Sequence, residues 1–78
     1  MRKFPIRDEI LDNDATVIMS KPYSHHIGDY YLAIVLCKWH NQFVTWLYNR
    51  ESGGCCEGNY FREDMVRAIT DFNRRGDL

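Results

Sequence analysis

The chain lacks most of the features from which function is usually read. It has no apolar run near the ~20 residues that a bilayer-crossing helix requires, which sets the expectation of a soluble protein with no membrane partner. Its three cysteines, Cys37, Cys55 and Cys56, form an odd set with a vicinal pair. Two adjacent thiols cannot close an ordinary loop, so a secreted disulfide scaffold is disfavoured and reduced thiols are expected. No CxxC or HxxxH spacing brings sulfur and nitrogen ligands together for zinc, and no phosphate-binding motif occurs. The ten Lys and Arg are scattered and the formal net charge is −1. The basic footprint of a nucleic-acid binder is therefore missing, as is the acidic run of a nucleic-acid mimic. The opening MRKFPIRDEILDND has no uninterrupted apolar block of the secretory kind, so the expected compartment is the cytoplasm.

What the chain does have is concentrated between Tyr30 and Tyr48, YYLAIVLCKWHNQFVTWLY, which holds its longest apolar run and both tryptophans. Aromatic and β-branched residues crowd both halves of this stretch and suit a pleated surface. His40 and Asn41 stand between the halves. Both residue types tolerate a left-handed backbone, so they predict a two-residue hairpin turn. That turn sets 39 opposite 42, 37 opposite 44, 35 opposite 46 and 33 opposite 48. One face then carries Tyr31, Ala33, Val35, Cys37, Trp39, Val44, Trp46 and Tyr48, and the other Tyr30, Leu32, Ile34, Leu36, Phe43 and Leu47. A half-exposed antiparallel strand alternates apolar and polar residues. The first strand of this hairpin does not, so each of its faces needs a cover.

Around the hairpin, residues 1–14 mix charges with Phe4, Ile6, Ile10 and Leu11, and Pro5 bars a helix from the start. Irregular structure is expected there. Residues 15–21, ATVIMSK, alternate as an edge strand would, with Ala15, Val17 and Met19 on one side. Residues 22–29 and 49–59 are rich in Gly, Ser, Pro and charge and read as loops, with a short extra strand conceivable over residues 55–61. From 62 to 75 a single apolar stripe, Met65, Ala68, Ile69 and Phe72, predicts a helix. Glu63 and Asp64 are assigned to its first turn, Arg74 and Arg75 to its last, and Gly76 to its C′ position. Glu63–Arg67 and Arg67–Asp71 are spaced as surface pairs. The expected architecture is one small α+β domain spanning residues 1–78. A three-stranded antiparallel β-meander (15–61) carries one C-terminal α-helix on one face, βββα. One helix covers one face, so the other, taken to be the Trp46 side, is left open for a partner or a second copy.

Three chemistries compete for these residues. His25, His26, Cys37, His40, Cys55 and Cys56 are zinc-type ligands, but Cys37 and His40 differ by an odd number and would leave opposite faces of a strand, so no metal is expected. A cysteine nucleophile at Cys55 or Cys56 would sit in a Gly-rich loop that does not preorganise it, and no oxyanion motif accompanies it. No catalytic residue and no cofactor are assigned. Tyr31, Trp39, Trp46 and Tyr48 are the candidate binding residues. Such rings can stack single-stranded bases, yet Lys and Arg are not interleaved with them, and Trp and Tyr also dominate protein interfaces. A non-enzymatic protein-binding module, with homodimerisation as one option, is the leading expectation, and a single-stranded nucleic-acid binder the alternative.

The segments QFVTWLYN, GNYF and DMVRAITDFNRR, within residues 38–75, resemble a pattern found in small accessory proteins of bacteriophages and other mobile elements. In those, an aromatic "YVTW" strand precedes a "GHYF"-like stretch and a helix ending in Asp-Phe-x-x-Arg. Asn59 stands here in place of the His. The resemblance implies a phage-type protein that binds and modulates a host protein in the host cytoplasm.

Overall fold

The computed structural model describes residues 5–23 and 32–75. Four strands, β1 (Thr16–Pro22), β2 (Leu32–Trp39), β3 (Gln42–Asn49) and β4 (Gly54–Tyr60), precede one helix, α1 (Met65–Arg74). The strands form one antiparallel sheet in the order β1-β2-β3-β4. The class is α+β with a C-terminal helix as expected, but the meander has four strands rather than three. The fourth is the Gly-rich stretch read mainly as loop. Its backbone pairs with β3, where Tyr48 opposes Cys55 and Val44 opposes Tyr60.

The central hairpin follows from its turn. His40 and Asn41 both adopt positive φ, 48° and 61°, the left-handed pair whose twist matches the flanking strands. The register is the expected one, with Val35 opposite Trp46 and Cys37 opposite Val44. Elsewhere the register shifts. On β1 the pairs move from Val17–Cys37 to Met19–Leu36, so Ile18 is an extra residue. Alternation from Ala15 placed Met19 beside Val17, and the shift corrects this: Met19 pairs with Leu36 on the opposite face.

Each face has its cover. Ile34 and Leu36 form a core with Ala68 and Phe72 of α1, and Phe43, Leu47, Ile69 and Phe61 pack around it. Val17, Ala33, Val35, Cys37, Val44, Trp46 and Tyr48 form the second core, closed by Leu11 and Ala15 of the N-terminal segment. That segment is irregular from 5 to 15, one residue beyond the 1–14 expected because β1 starts at Thr16 and not Ala15, but it is pinned. Asp8 N donates to Val17 O at 2.8 Å, Val17 N to Glu9 O at 2.9 Å and Leu11 N to Ala15 O at 2.8 Å. The Ser20 hydroxyl donates to the Pro5 carbonyl.

The helix is shorter than the 62–75 predicted. Arg62 has a φ of 53°, outside the helical region, and Asp64 is the N-cap, its carboxylate accepting from Arg67 N at 3.0 Å. Glu63 and Asp64 therefore precede the first turn instead of lying in it. Gly76 falls outside the described residues. Arg67 lies near Asp64, at 3.7 Å, and Asp71, expected to pair with Arg67 on the outer surface, turns to the sheet. Its Oδ2 accepts from the Oγ1 of fully buried Thr45 and from Asn59 Nδ2 at 3.1 Å. Arg75 Nη1 donates to both the carbonyl and Oγ1 of Thr45 at 3.1 Å. Arg75, expected in the last turn, is instead the C-cap residue in extended conformation, so Thr45 is held between a carboxylate of the last turn and the guanidinium just past it, which fastens that end of α1 to β3.

Candidate functional site

Of the expected binding residues, Trp39, Trp46 and Tyr48 share a face, but the structure does not leave that face open. Tyr31 lies outside the described residues. Tyr48 is 1% exposed and Trp46 4%, both inside the core that Leu11 and Ala15 close. Trp39 is half-buried and its Nε1 donates to the Asn13 carbonyl at 2.8 Å, tying the N-terminal segment over it. Tyr48 cannot touch a partner while that segment stays in place. The correction has a plain cause: burying apolar area does not require regular structure, and an irregular segment with Leu11 and Ala15 correctly placed does it as well as a second helix would.

The cover ends before β4. Between residues 12–13 and the β3–β4 turn lies a cleft of about 490 Å³, lined by Asp12, Asn13, Trp46, Ser52–Cys55 and Tyr60. Tyr60 pairs with Val44 and so lies on the aromatic face, but it is 53% exposed. Its ring stands perpendicular to Trp46, centroids 6.2 Å apart, and 6.3 Å from Trp39. Trp39 and Trp46 meet edge-on at 5.3 Å. Interlocking rings of this kind hold one another in place, so Tyr60 presents its exposed part from a fixed base.

A bulge makes this arrangement possible. Glu57 and Gly58 together oppose Trp46, and Glu57 takes a φ of 52°. A Cβ on Gly58 would fall 2.6 Å from Trp46 Nε1 and 2.9 Å from its Cδ1, so the indole lies against bare backbone. Tyr60 and Gly58 were not among the expected site residues. Each left a signal in the sequence: Tyr60 belongs to the GNYF segment, and an isolated glycine in a strand marks a bulge or a close approach.

Two of the three thiols, those of Cys37 and Cys55, are poor nucleophiles. Burial, and secondarily the charge of Cys55, pushes Cys37 from the usual 9.0 up to about 12. Burial, then Cys56, then Asp12, pushes Cys55 up to about 11. Both stay protonated at neutral pH, and the thiolate is the reactive and metal-binding form. Cys55 packs toward the Trp46 core while exposed Cys56 lies 3.7 Å from the Leu47 carbonyl. Neighbours on a strand point apart, so the pair cannot chelate one ion. His40 is exposed in the hairpin turn with its ring 4.4 Å from Trp39. His25 and His26 fall outside the described residues, and no cluster of three or more metal-type ligands forms among those described. No helix among the described residues is long and apolar enough to cross a membrane. No family model, curated protein or solved structure matches the chain.

Proposed function

We propose that the protein is a non-enzymatic protein-binding module of the phage accessory type that its strand and helix segments resemble, acting on a host protein through the aromatic cleft beside β4. The observation that carries the reading is Tyr60. It is a large ring, half exposed, braced by two buried or half-buried tryptophans at the mouth of a cleft. Anchors of this description, aromatic and backed by a packed core, dominate the energetics of protein interfaces. Support for a non-catalytic role comes from the protonated thiols of Cys37 and Cys55. The alternative, single-stranded nucleic acid, needs open rings with cations beside them. Here Trp46 and Tyr48 are covered, and the covering residues 5–15 carry Asp8, Glu9, Asp12 and Asp14 against Arg7 alone.

The test is affinity capture from a bacterial lysate with wild type, Tyr60→Ala and Val66→Ala, the last removing an apolar side chain that is 76% exposed on the helix. Proteins retained by wild type and Val66→Ala but lost by Tyr60→Ala are expected. Equal recovery by all three baits removes the cleft as the binding site. Labelled oligonucleotides should fail to bind even at low salt, where phosphate contacts are strongest.

A further inference from the structure

We infer that the partner protein lays an acidic, extended stretch along the outer flank of α1, its carboxylates taken up by Arg62, Arg67 and Arg74. This rests on the protein-binding reading above and specifies the chemistry that meets the chain beside Tyr60. Tyr60 lines both the cleft on the aromatic face and a second depression, of about 350 Å³, that it shares with Phe61, Arg62 and Arg67. A further depression of about 260 Å³ runs on past Arg67 to Thr70 and Arg74. Phe61 and Arg67 line both, so the two adjoin as one groove with a half-buried ring in it. The charges along this groove are unequally engaged. Its acids are Glu63, Asp64 and Asp71. Asp64 caps α1 by accepting from Arg67 N, and Asp71 accepts from Thr45 Oγ1 and Asn59 Nδ2, so two of the three carboxylates are directed into the fold. The arginines are not. All three are exposed, and no carboxylate among the described residues lies within ion-pair distance of Arg62 or Arg74. Arg67 meets Asp64 through Nε alone, at 3.7 Å, with its side chain 80% exposed. By contrast, Lys21, which reaches α1 from the β1 side, is engaged within the fold: its Nζ donates to the Asn73 carbonyl and lies over the Phe72 ring.

These features suit one guest better than the others. A cationic side chain would be repelled. An apolar stretch would use Phe61 and Tyr60 but strip water from guanidinium groups and give nothing back. A nucleic-acid strand would bring phosphates, yet its bases would meet Tyr60 with Trp46 and Tyr48 covered, and such strands bind by stacking along a series of open rings. A peptide carboxylate matches the guanidinium fork, two parallel N–H donors to two oxygens. The spacing also fits. Arg67 and Arg74 stand at i and i+7, about 10.5 Å apart along the helix, and alternate residues of an extended chain point the same way about 6.6 Å apart. Two long, exposed arms close that difference. Complementary charge of this kind selects partners and speeds their encounter.

The probe is an acetylated Gly-Glu-Ser-Glu-Gly amide, titrated into the full chain and followed by the NMR shifts of the Arg67, Thr70 and Arg74 backbone amides. The control is the same peptide with Gln for Glu, which keeps the shape without the charge. Saturable binding of the Glu peptide is expected, about tenfold tighter than the Gln peptide, as two solvent-screened ion pairs give. Arg67→Gln and Arg74→Gln should each weaken it about threefold while keeping a native spectrum, since Gln suits a helix about as well as Arg. Lys21→Gln removes the same charge from the β1 side and should bind like wild type. Equal binding of the two peptides, no saturable shift, or no effect of either Arg substitution overturns the proposal. An equal loss in Lys21→Gln also overturns it, because net charge would then explain the binding. Tighter binding of a short oligothymidylate at the same amides overturns it in favour of phosphate. If Tyr60-dependent capture persists undiminished when Arg67 and Arg74 are both replaced by Gln, the guest chemistry is wrong while the binding reading stands. If no Tyr60-dependent capture occurs, the reading itself falls and the proposal with it.

Discussion

At the scale of single residues, the positions that decide most are those where space or charge leaves no slack. Gly58 is one. A methyl there would meet Trp46 Nε1 at 2.6 Å and the Tyr60 hydroxyl at 3.0 Å; both belong to an interlocked cluster that cannot yield cheaply. Gly58→Ala is therefore expected to cost about 1–3 kcal/mol, as overpacked sites do, and to shift tryptophan emission, both measurable by urea denaturation followed by fluorescence. Thr45 is another. Its hydroxyl bridges Asp71 and Arg75 with no solvent to replace it, so Thr45→Val should cost about 1–3 kcal/mol. Combined with Asp71→Ala it should cost less than the sum of the two changes, because both break one network. Neither role was legible in the sequence. Asp71 shows the reason. Its spacing from Arg67 fits a surface pair, and only the docked sheet reveals a stronger partner on the other side.

Cys37 gives a pH dependence whose sign is fixed by the direction of its shift. Its thiol keeps the proton up to about 12 in the folded chain, against the usual 9.0, so above pH 9.0 the unfolded chain holds fewer protons than the native one. Its contribution to stability is complete below that pH and is lost as pH rises through about 12. Cys55, up to about 11, acts in the same sense. The urea midpoint should fall as pH rises above 9.0, and Cys37→Ala, although less stable at neutral pH from its lost packing, should fall less steeply. An equal slope for both proteins would show that other groups carry the alkaline loss.

At the scale of elements, what local chemistry dictates was readable and what tertiary contact dictates was not. The β2–β3 hairpin, its register and its two faces follow from His40-Asn41 and the spacing of apolar residues, and the helix stripe follows from Ala68, Ile69 and Phe72, whereas Met65, counted with them, stays 39% exposed outside that core. Strand β4 was only half visible because three glycines speak for a loop, while the pairing that makes it a strand is supplied by β3. The cover over Trp46 and Tyr48 was invisible for a different reason. Residues 5–15 have no periodicity, and their role depends on where the chain returns after its turns at Asp8 and Asp14, both at positive φ. Leu11, 5% exposed, is the wedge that makes the cover fit. Leu11→Ala should cost about 2–4 kcal/mol and raise the binding of a hydrophobic dye, since the aromatic face beneath becomes reachable. Retained stability with no dye binding would mean that the segment contributes nothing to closing the core.

At the scale of the whole molecule, the expectation of a second copy rested on an uncovered face, and both faces are now shielded by the chain itself. Among the described residues, the sheet edge left open along its length is that of β4, since the corresponding edge of β1 is occupied along part of its length by residues 8–11, including the Ile10–Thr16 bridge. An edge recruits another strand when it is long, flat and uncharged. β4 spans seven residues, is broken by the Glu57–Gly58 bulge, and carries an exposed carboxylate at the break. Two copies meeting there in antiparallel fashion would bring their Glu57 side chains toward each other across a distorted ladder. The protein is therefore expected to run as a monomer in light scattering, with added salt leaving the mass unchanged. A dimer mass that disappears when residues of β4 are replaced by proline would instead identify this edge as the interface. It would also require the cleft beside Tyr60 to be weighed again, because the partner it serves would then be another copy of the same chain.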